Sequence, residues 1–436
     1  MNRTSLIAIH FAALAAACSN PPARAPLAQR RPAVSTAETQ ERANLVVEWN
    51  RALLRIVRTP GAQPATIHPT RSFAMLHLAI RDAVHSIDRT PRLIRASSRE
   101  ASPEAAAAAA AHDVLVALYP SFAAQLDTQL QQSLAQAPDG APKTEGVRIG
   151  QDFAGRVLAA RADDGSAAPP LKFTFGTLPG AYQSTPPNFP SQPQFTSWPH
   201  VKPFALERAS QFRPGPPPAL ESDAYADALN EIKSLGTASG STASADQALT
   251  GRFWNGAIQN YWNEIAQAAA LSRGLTTAET ARLFALLDVA IADSVIAFYD
   301  AKYTYAFWRP VTAIRAADTD GNPETAADPN WLPQAGRTAP DPSYPGAHAV
   351  ISAAAAAVLE GFLEEADFAF SVTSEVLPGT QRSFESFAAA AREATLSRVF
   401  AGQHFRFDLS AGHRLGKKVA GFVMSKSDSP KENEND

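Results

Sequence analysis

The stretch TTAETARLFALLDVAIADSVIAFYDAKYTYAFWRP, residues 276–310, decides the fold. It opens with a capping box, in which Thr276 accepts from the amide three residues on while Glu279 reaches back. Leu283, Leu287, Ile291 and Val295 then recur every fourth residue, the spacing of a buried helix face. Near the end, Lys302 and Arg309 stand seven apart, which on a continuous helix is two turns and roughly 10 Å along one face. Pro310 is expected to end that helix. Tyr303, Tyr305, Phe307 and Trp308 surround the two cations and imply partial burial. Several buried cations without counter-charge would be very costly, so the pattern implies a bound anion.

Outward from this stretch the helical period persists. Helices are predicted from 37–57 and 70–87, through the alanine run Ala105–Ala111 and its continuation to Leu118, and over 143–162, 221–236 and 254–273. Further ones are predicted over 347–365, 382–399 and 404–425. No credible strand and no glycine-rich phosphate loop is found, so the fold class is all-α. Residues 165–218, including LPGAYQSTPPNFPSQPQFTSWPHVKPF, are rich in proline and aromatics and have no period. They have too few apolar positions for a separate core and read as an ordered excursion over the bundle. The tail from 426 to 436, KSDSPKENEND, reads as disordered.

Hydrophobic residues make up 45% and charged residues 19% of the 436 positions, a globular balance. A net charge of −3 gives no reason to expect a nucleic-acid partner. Residues 1–18 read as an export signal: Arg3, an apolar run from Leu6 to Leu14, then small residues before Cys18, the only cysteine. Lipoprotein processing at Cys18 and an ordinary signal-peptidase cut fit about equally well. Either way the chain is expected to be exported, periplasmic or extracellular, touching a membrane only through a lipid on Cys18. Residues 19–35 read as a Pro-, Ala- and Arg-rich tether, leaving 36–425 as a single domain. No later segment has about 18 uninterrupted apolar residues, so no membrane span is predicted after the signal.

A second chemical cluster is SRVFAGQHFRFD, Ser397 to Asp408. His404 and Asp408 are four apart, so a carboxylate could hold the imidazole Nδ1 proton and leave Nε2 as nucleophile or ligand. Arg398 is six positions before His404 and out of phase with it on one helix. Gly402 permits a break, which would let both face one ligand and let His404 open a new helix whose amide end favours an anion. His348 follows Tyr344-Pro345-Gly346-Ala347 at another predicted helix start, and on its own favours a structural reading. The same reading is preferred for His77 and His85, which share a helix with Asp82. His413 and Arg406 have no motif of their own.

Together these segments resemble the superfamily that joins vanadium-dependent haloperoxidases with type 2 phosphatidic acid phosphatases and bacterial acid phosphatases. Its signature is K-x6-R-P, then P-S-G-H, then S-R-x5-H-x3-D. Lys302 to Arg309-Pro310 fits the first motif and Ser397-Arg398 to His404 to Asp408 the third. The wider stretch is similar to the haloperoxidase-related branch. The resemblance implies two four-helix-bundle-like halves, with the anion pocket at the end of the second. It implies vanadate bound through His404, with Lys302, Arg309 and Arg398 neutralising its oxygens, His348 as acid–base, and hydrogen peroxide and halide as substrates. The alternatives are a phosphatase using a phosphohistidine at His404 with phosphate in the same pocket, and an inactive anion-binding lipoprotein. A homodimer is also implied, without any residue that marks its face. The middle motif departs from the family: PSYPGAH has Gly346 and Ala347 where Ser and Gly are usual. Only backbone amides at Gly346 and Ala347 then remain as donors, unless Ser343 folds inward.

Overall fold

The computed structural model describes residues 34–35, 44–88 and 101–428. The export signal 1–18, the tether up to residue 33, the first residues of the predicted 37–57 helix and the tail from 429 lie outside them. The described residues form one compact unit.

Thirteen α-helices occur among the described residues: α1 Leu45–Arg58, α2 Thr70–Asp88, α3 Pro103–Leu118, α4 Ala123–Ala135, α5 Ala141–Ala160, α6 Asp223–Leu235 and α7 Ala245–Phe253, then α8 Ile258–Arg273, α9 Thr277–Tyr305, α10 Pro310–Arg315, α11 Ala347–Leu363, α12 Phe387–Phe400 and α13 Arg406–Asp428. The capping box at Thr276 and Glu279 forms as its spacing requires. The long α9 is buried along nearly its whole length and is shared by two bundles. It packs against α2, which carries α3 and α5, and on its other side against α11 and α13, with α12 beside α11. The alanine run makes a smooth surface on α3, and α5 sits against it so closely that a Cβ on Gly150 would be 2.3 Å from the Ala106 carbonyl oxygen. Among the described residues no helix is long and apolar enough to cross a membrane.

Three features differ from the sequence reading. First, a small sheet exists: β2 (Phe370–Thr373) pairs antiparallel with β3 (Gln381–Phe384), and β1 (Val34–Ser35) runs parallel to β2. Strands this short carry no readable period. What holds them is tertiary: Phe370 packs on Phe384 and on Phe387, and Phe387 stacks on Phe368. The helix predicted from 382 therefore starts at Phe387, capped by the Ser386 hydroxyl accepting from the Ala389 amide. Second, α4, α7 and α10 were not anticipated, and α13 continues to Asp428 through the start of the supposed tail. Third, Lys302 and Arg309 do not share a helix. α9 stops at Tyr305, Ala306 turns left-handed (φ 42°), and Pro310 opens α10 with Arg309 as its N-cap. A proline at the first helical position loses nothing, because that amide has no intrahelical partner.

The excursion is ordered, and two devices hold it. The buried Asp293 carboxylate accepts from the amides of Phe204, Ala205 and Leu206 at 2.6, 2.8 and 2.8 Å. The aromatic residues near Lys302 grip its other parts: Tyr305 donates to the Pro214 carbonyl, Tyr303 to Gln194, and the Trp308 amide to Gly180.

Candidate active site

The break at Ala306 delivers Lys302 from the end of α9 and Arg309 from the start of α10 to one place. Lys302 is 0% and Arg309 1% exposed. Arg398, 5% exposed, arrives from the last turn of α12. The chain then turns through Gly402 (φ 73°), where a Cβ would be 2.4 Å from the Gly236 carbonyl oxygen. This is the expected break, and glycine is required for both reasons. His404 lies in the turn rather than opening a helix, since α13 begins at Arg406. Asp408 in the first turn of α13 still reaches it, because its Oδ2 also accepts from the Phe405 amide at 3.1 Å and so folds back over the turn.

Arg309 Nη1 lies 3.2 Å from His404 Nε2. A guanidinium only donates, so Nε2 carries the lone pair and Nδ1 the proton. That proton faces Asp408 Oδ2 at 3.2 Å. Ser343 does fold inward: its buried hydroxyl donates to Asp408 Oδ2 at 2.6 Å, on the Nδ1 side of the ring. It therefore supports the His404–Asp408 pair rather than facing an oxyanion at Nε2. The Gly346 amide is also withdrawn from that expected role, because it donates to the Asp408 carbonyl at 3.0 Å. Ala347, the first residue of α11, lines the cavity, and its amide has no intrahelical partner. His348, the second residue of α11, has Nε2 2.9 Å from the Trp254 carbonyl oxygen. Its proton is committed there, and Nδ1 is left as the acceptor.

Arg309, Arg398, His348 and His404 line a cavity of about 970 Å³. Burial pulls the Lys302 ammonium down to about 8, Asp341 partly holding it up and Arg309 pushing it further down. Burial, with Arg309 adding repulsion, takes Arg398 down to about 9. Burial lifts the Asp408 carboxyl to about 7 against the Ser343 hydrogen bond and the nearby cations. Burial first, then Arg309, Lys302 and Arg398, hold His404 well below the ordinary imidazole range. His348 is held low likewise, by burial and then Arg398. Both imidazoles are thus neutral at pH 7.

Several participants gave no sequence signal. Asp341, a position before the PSYPGAH motif, pairs with Arg309 and lies 3.7 Å from Lys302. Asn255 accepts from both Arg398 Nη atoms at 3.3 Å. His68 lines the cavity, its ring tilted against Phe195 and Trp198 and edge-on to Tyr299. Burial takes it to about 3. The other histidines stay apart. His77 pairs with Asp288 of α9 at 2.6 Å and not with Asp82, which Arg81 holds. His85 is exposed on α2, Arg406 pairs with Glu231, and His413 lies in a different groove.

The bundle thus gathers three buried cations near a neutral, carboxylate-backed imidazole, a charge arrangement that suits an oxyanion. Residues 282–432 match the family model of the vanadium chloroperoxidase second helical-bundle domain. The chain is similar to vanadium chloroperoxidase of Curvularia inaequalis, 26% identical, over 85% of this chain and 80% of that one. The crystal structure of the first bacterial vanadium-dependent iodoperoxidase superposes with a TM-score of 0.72 at 23% identity, covering 88% of this chain and 98% of that one. A holo-type bacterial vanadium-dependent chloroperoxidase gives 0.65 at 16%, covering 88% and 97%. Over most of its length the chain is thus similar to a vanadium haloperoxidase in sequence and to others in fold, and its residues 282–432 carry the match to the second helical-bundle domain.

The residues present suit vanadate. The buried Arg398 Nε has no hydrogen-bond partner among the described residues. Such a donor calls for an acceptor, and it stands in the cavity wall with the His404 lone pair.

Proposed function

We propose that the chain is a vanadate-dependent haloperoxidase-like enzyme that oxidises halide with hydrogen peroxide, holding its oxyanion at His404. The observation that carries this reading is the orientation of that imidazole: Nδ1–H on Asp408, Nε2 lone pair toward Arg309 and the cavity. Vanadate, when bound, supplies a Lewis-acid centre that activates peroxide without changing its own oxidation state.

The protein's part is positioning and charge. Asp408, when ionised, keeps His404 in the Nδ1–H tautomer and raises the donor strength of Nε2. Lys302, Arg309 and Arg398 offset the oxyanion's charge in a site largely shielded from water, where such interactions are strong. The first amides of α11 add the positive end of a helix. His348 is neutral with its proton on Trp254, so it acts first as a base, taking a proton at Nδ1 from a bound oxygen and returning it later.

The same lone pair would serve a phosphatase, so the test has two arms. Protein loaded with orthovanadate should brominate or iodinate an indicator phenol in the presence of peroxide and halide, and His404→Ala should abolish this. No halogenation, together with metal-free hydrolysis of a phosphomonoester, would overturn the reading in favour of the phosphatase. Export through residues 1–18 belongs to the same proposal, since it would place the enzyme outside the cytoplasm. Mass spectrometry of the mature N-terminus, free or lipidated at Cys18, tests that part.

A further inference from the structure

We infer that Asp341 is an internal stand-in for the oxyanion, which an incoming vanadate or phosphate must displace; this rests on the oxyanion reading above. Arg309 spends Nε on the Asp341 carbonyl at 2.7 Å, Nη2 on the Asp341 carboxylate, and Nη1 on the Gln403 carbonyl and His404 Nε2. Lys302 donates to the carbonyls of Pro342 and Ser343, with the Asp341 carboxylate at 3.7 Å. Two of the three cations are therefore closed on protein groups, one carboxylate being common to both. Arg398, which Asp341 does not reach, is the one left with a buried unpartnered donor.

The surroundings say how displacement must occur. Asp341 stands between Pro340 and Pro342: Pro342 biases the Asp341 backbone to extended conformations, and both prolines have their own φ fixed, which stiffens the loop. The loop cannot easily retreat, so the carboxylate leaves by rotating its side chain. It has somewhere to go: Asp341 lines the same cavity of about 970 Å³ as His404. Asp341 thereby lowers affinity for any oxyanion and compensates the buried cations when none is bound.

The test is binding, read by isothermal titration of inorganic phosphate and of orthovanadate into the full folded protein at pH 7.5. Asp341→Asn keeps the shape and one acceptor but removes the charge. It should bind both anions at least about tenfold more tightly than wild type. It should also melt lower without anion and gain more in Tm than wild type when phosphate is added, since phosphate then replaces the lost counter-charge. Should Asp341→Asn fold poorly without anion, the same comparison is made with protein refolded in phosphate and dialysed, alongside Asp341→Ser. Wild type that binds phosphate with the variants binding equally or more weakly would overturn the inference while leaving the oxyanion reading intact. Neither anion binding to any of these proteins would overturn both. Silence of His404→Ala in the same titration identifies the site being read.

Discussion

Ser343→Ala should move the acid side of oxyanion binding to higher pH, and the size of the shift follows from one contact. The Ser343 hydroxyl donates to Asp408 Oδ2 at 2.6 Å. A hydrogen bond to a charged acceptor contributes about 1.5–3 kcal/mol, equivalent to about one to two pKa units. Asp408 already stands at about 7, because burial opposes its ionised form. Without Ser343 it should rise to roughly 8–9. The sign is then fixed: a carboxylate with a raised pKa is neutral below it and accepts the His404 Nδ1 proton well only above it. At pH 7 the ionised fraction falls from about a half to about a tenth or less, and phosphate or vanadate affinity should fall by a similar factor. Lys302 limits the other side, losing its charge as pH rises through about 8. In wild type, binding is therefore strongest between these values, and the variant narrows that range nearly to nothing. The assay is titration calorimetry from pH 5.5 to 9.5, with thermal unfolding as a check on folding. If Ser343 instead bonded the oxyanion directly, affinity would drop by one factor at every pH with no shift. An unmoved acid flank would refute the reasoning.

Three further outcomes are expected. Lys302→Met should weaken oxyanion binding about 10- to 100-fold near pH 7 and abolish the fall in affinity above about pH 8 that the Lys302 ammonium causes; a variant retaining that fall would show another group is responsible. Gly402→Ala should cost more than about 3 kcal/mol in urea unfolding, because positive φ and close backbone contact coincide there; a loss under about 1 kcal/mol would mean the turn can relax. Asp293→Ala leaves the Phe204, Ala205 and Leu206 amides without their acceptor, and should cost about 3 kcal/mol or more. Limited proteolysis of that variant should cut first within residues 165–218, and cleavage elsewhere first would deny Asp293 its anchoring role.

What the sequence determined alone was local and periodic. The capping box and the fourfold apolar recurrence specified α9, since helix geometry is set by residues within a few positions of each other. The cations Lys302, Arg309 and Arg398, the pair His404–Asp408, and the need for a break at Gly402 were legible for the same reason. Tertiary structure decided the rest. The route by which Lys302 and Arg309 meet runs through a left-handed Ala306, a conformation the excursion helps hold by bonding on both sides of it. The short strands exist because four phenylalanines pack together, not because four residues can announce a strand. Ser343 and Gly346 found their roles only when α13 came against the start of α11, which put Asp408 in reach of both. Asp341 and Asn255 became partners of buried cations through contacts spanning 32 and 143 residues. Burial, and with it the charge state of every group in the site, is a property of the assembled bundle, because desolvation depends on what surrounds a side chain in space and not on its neighbours along the chain.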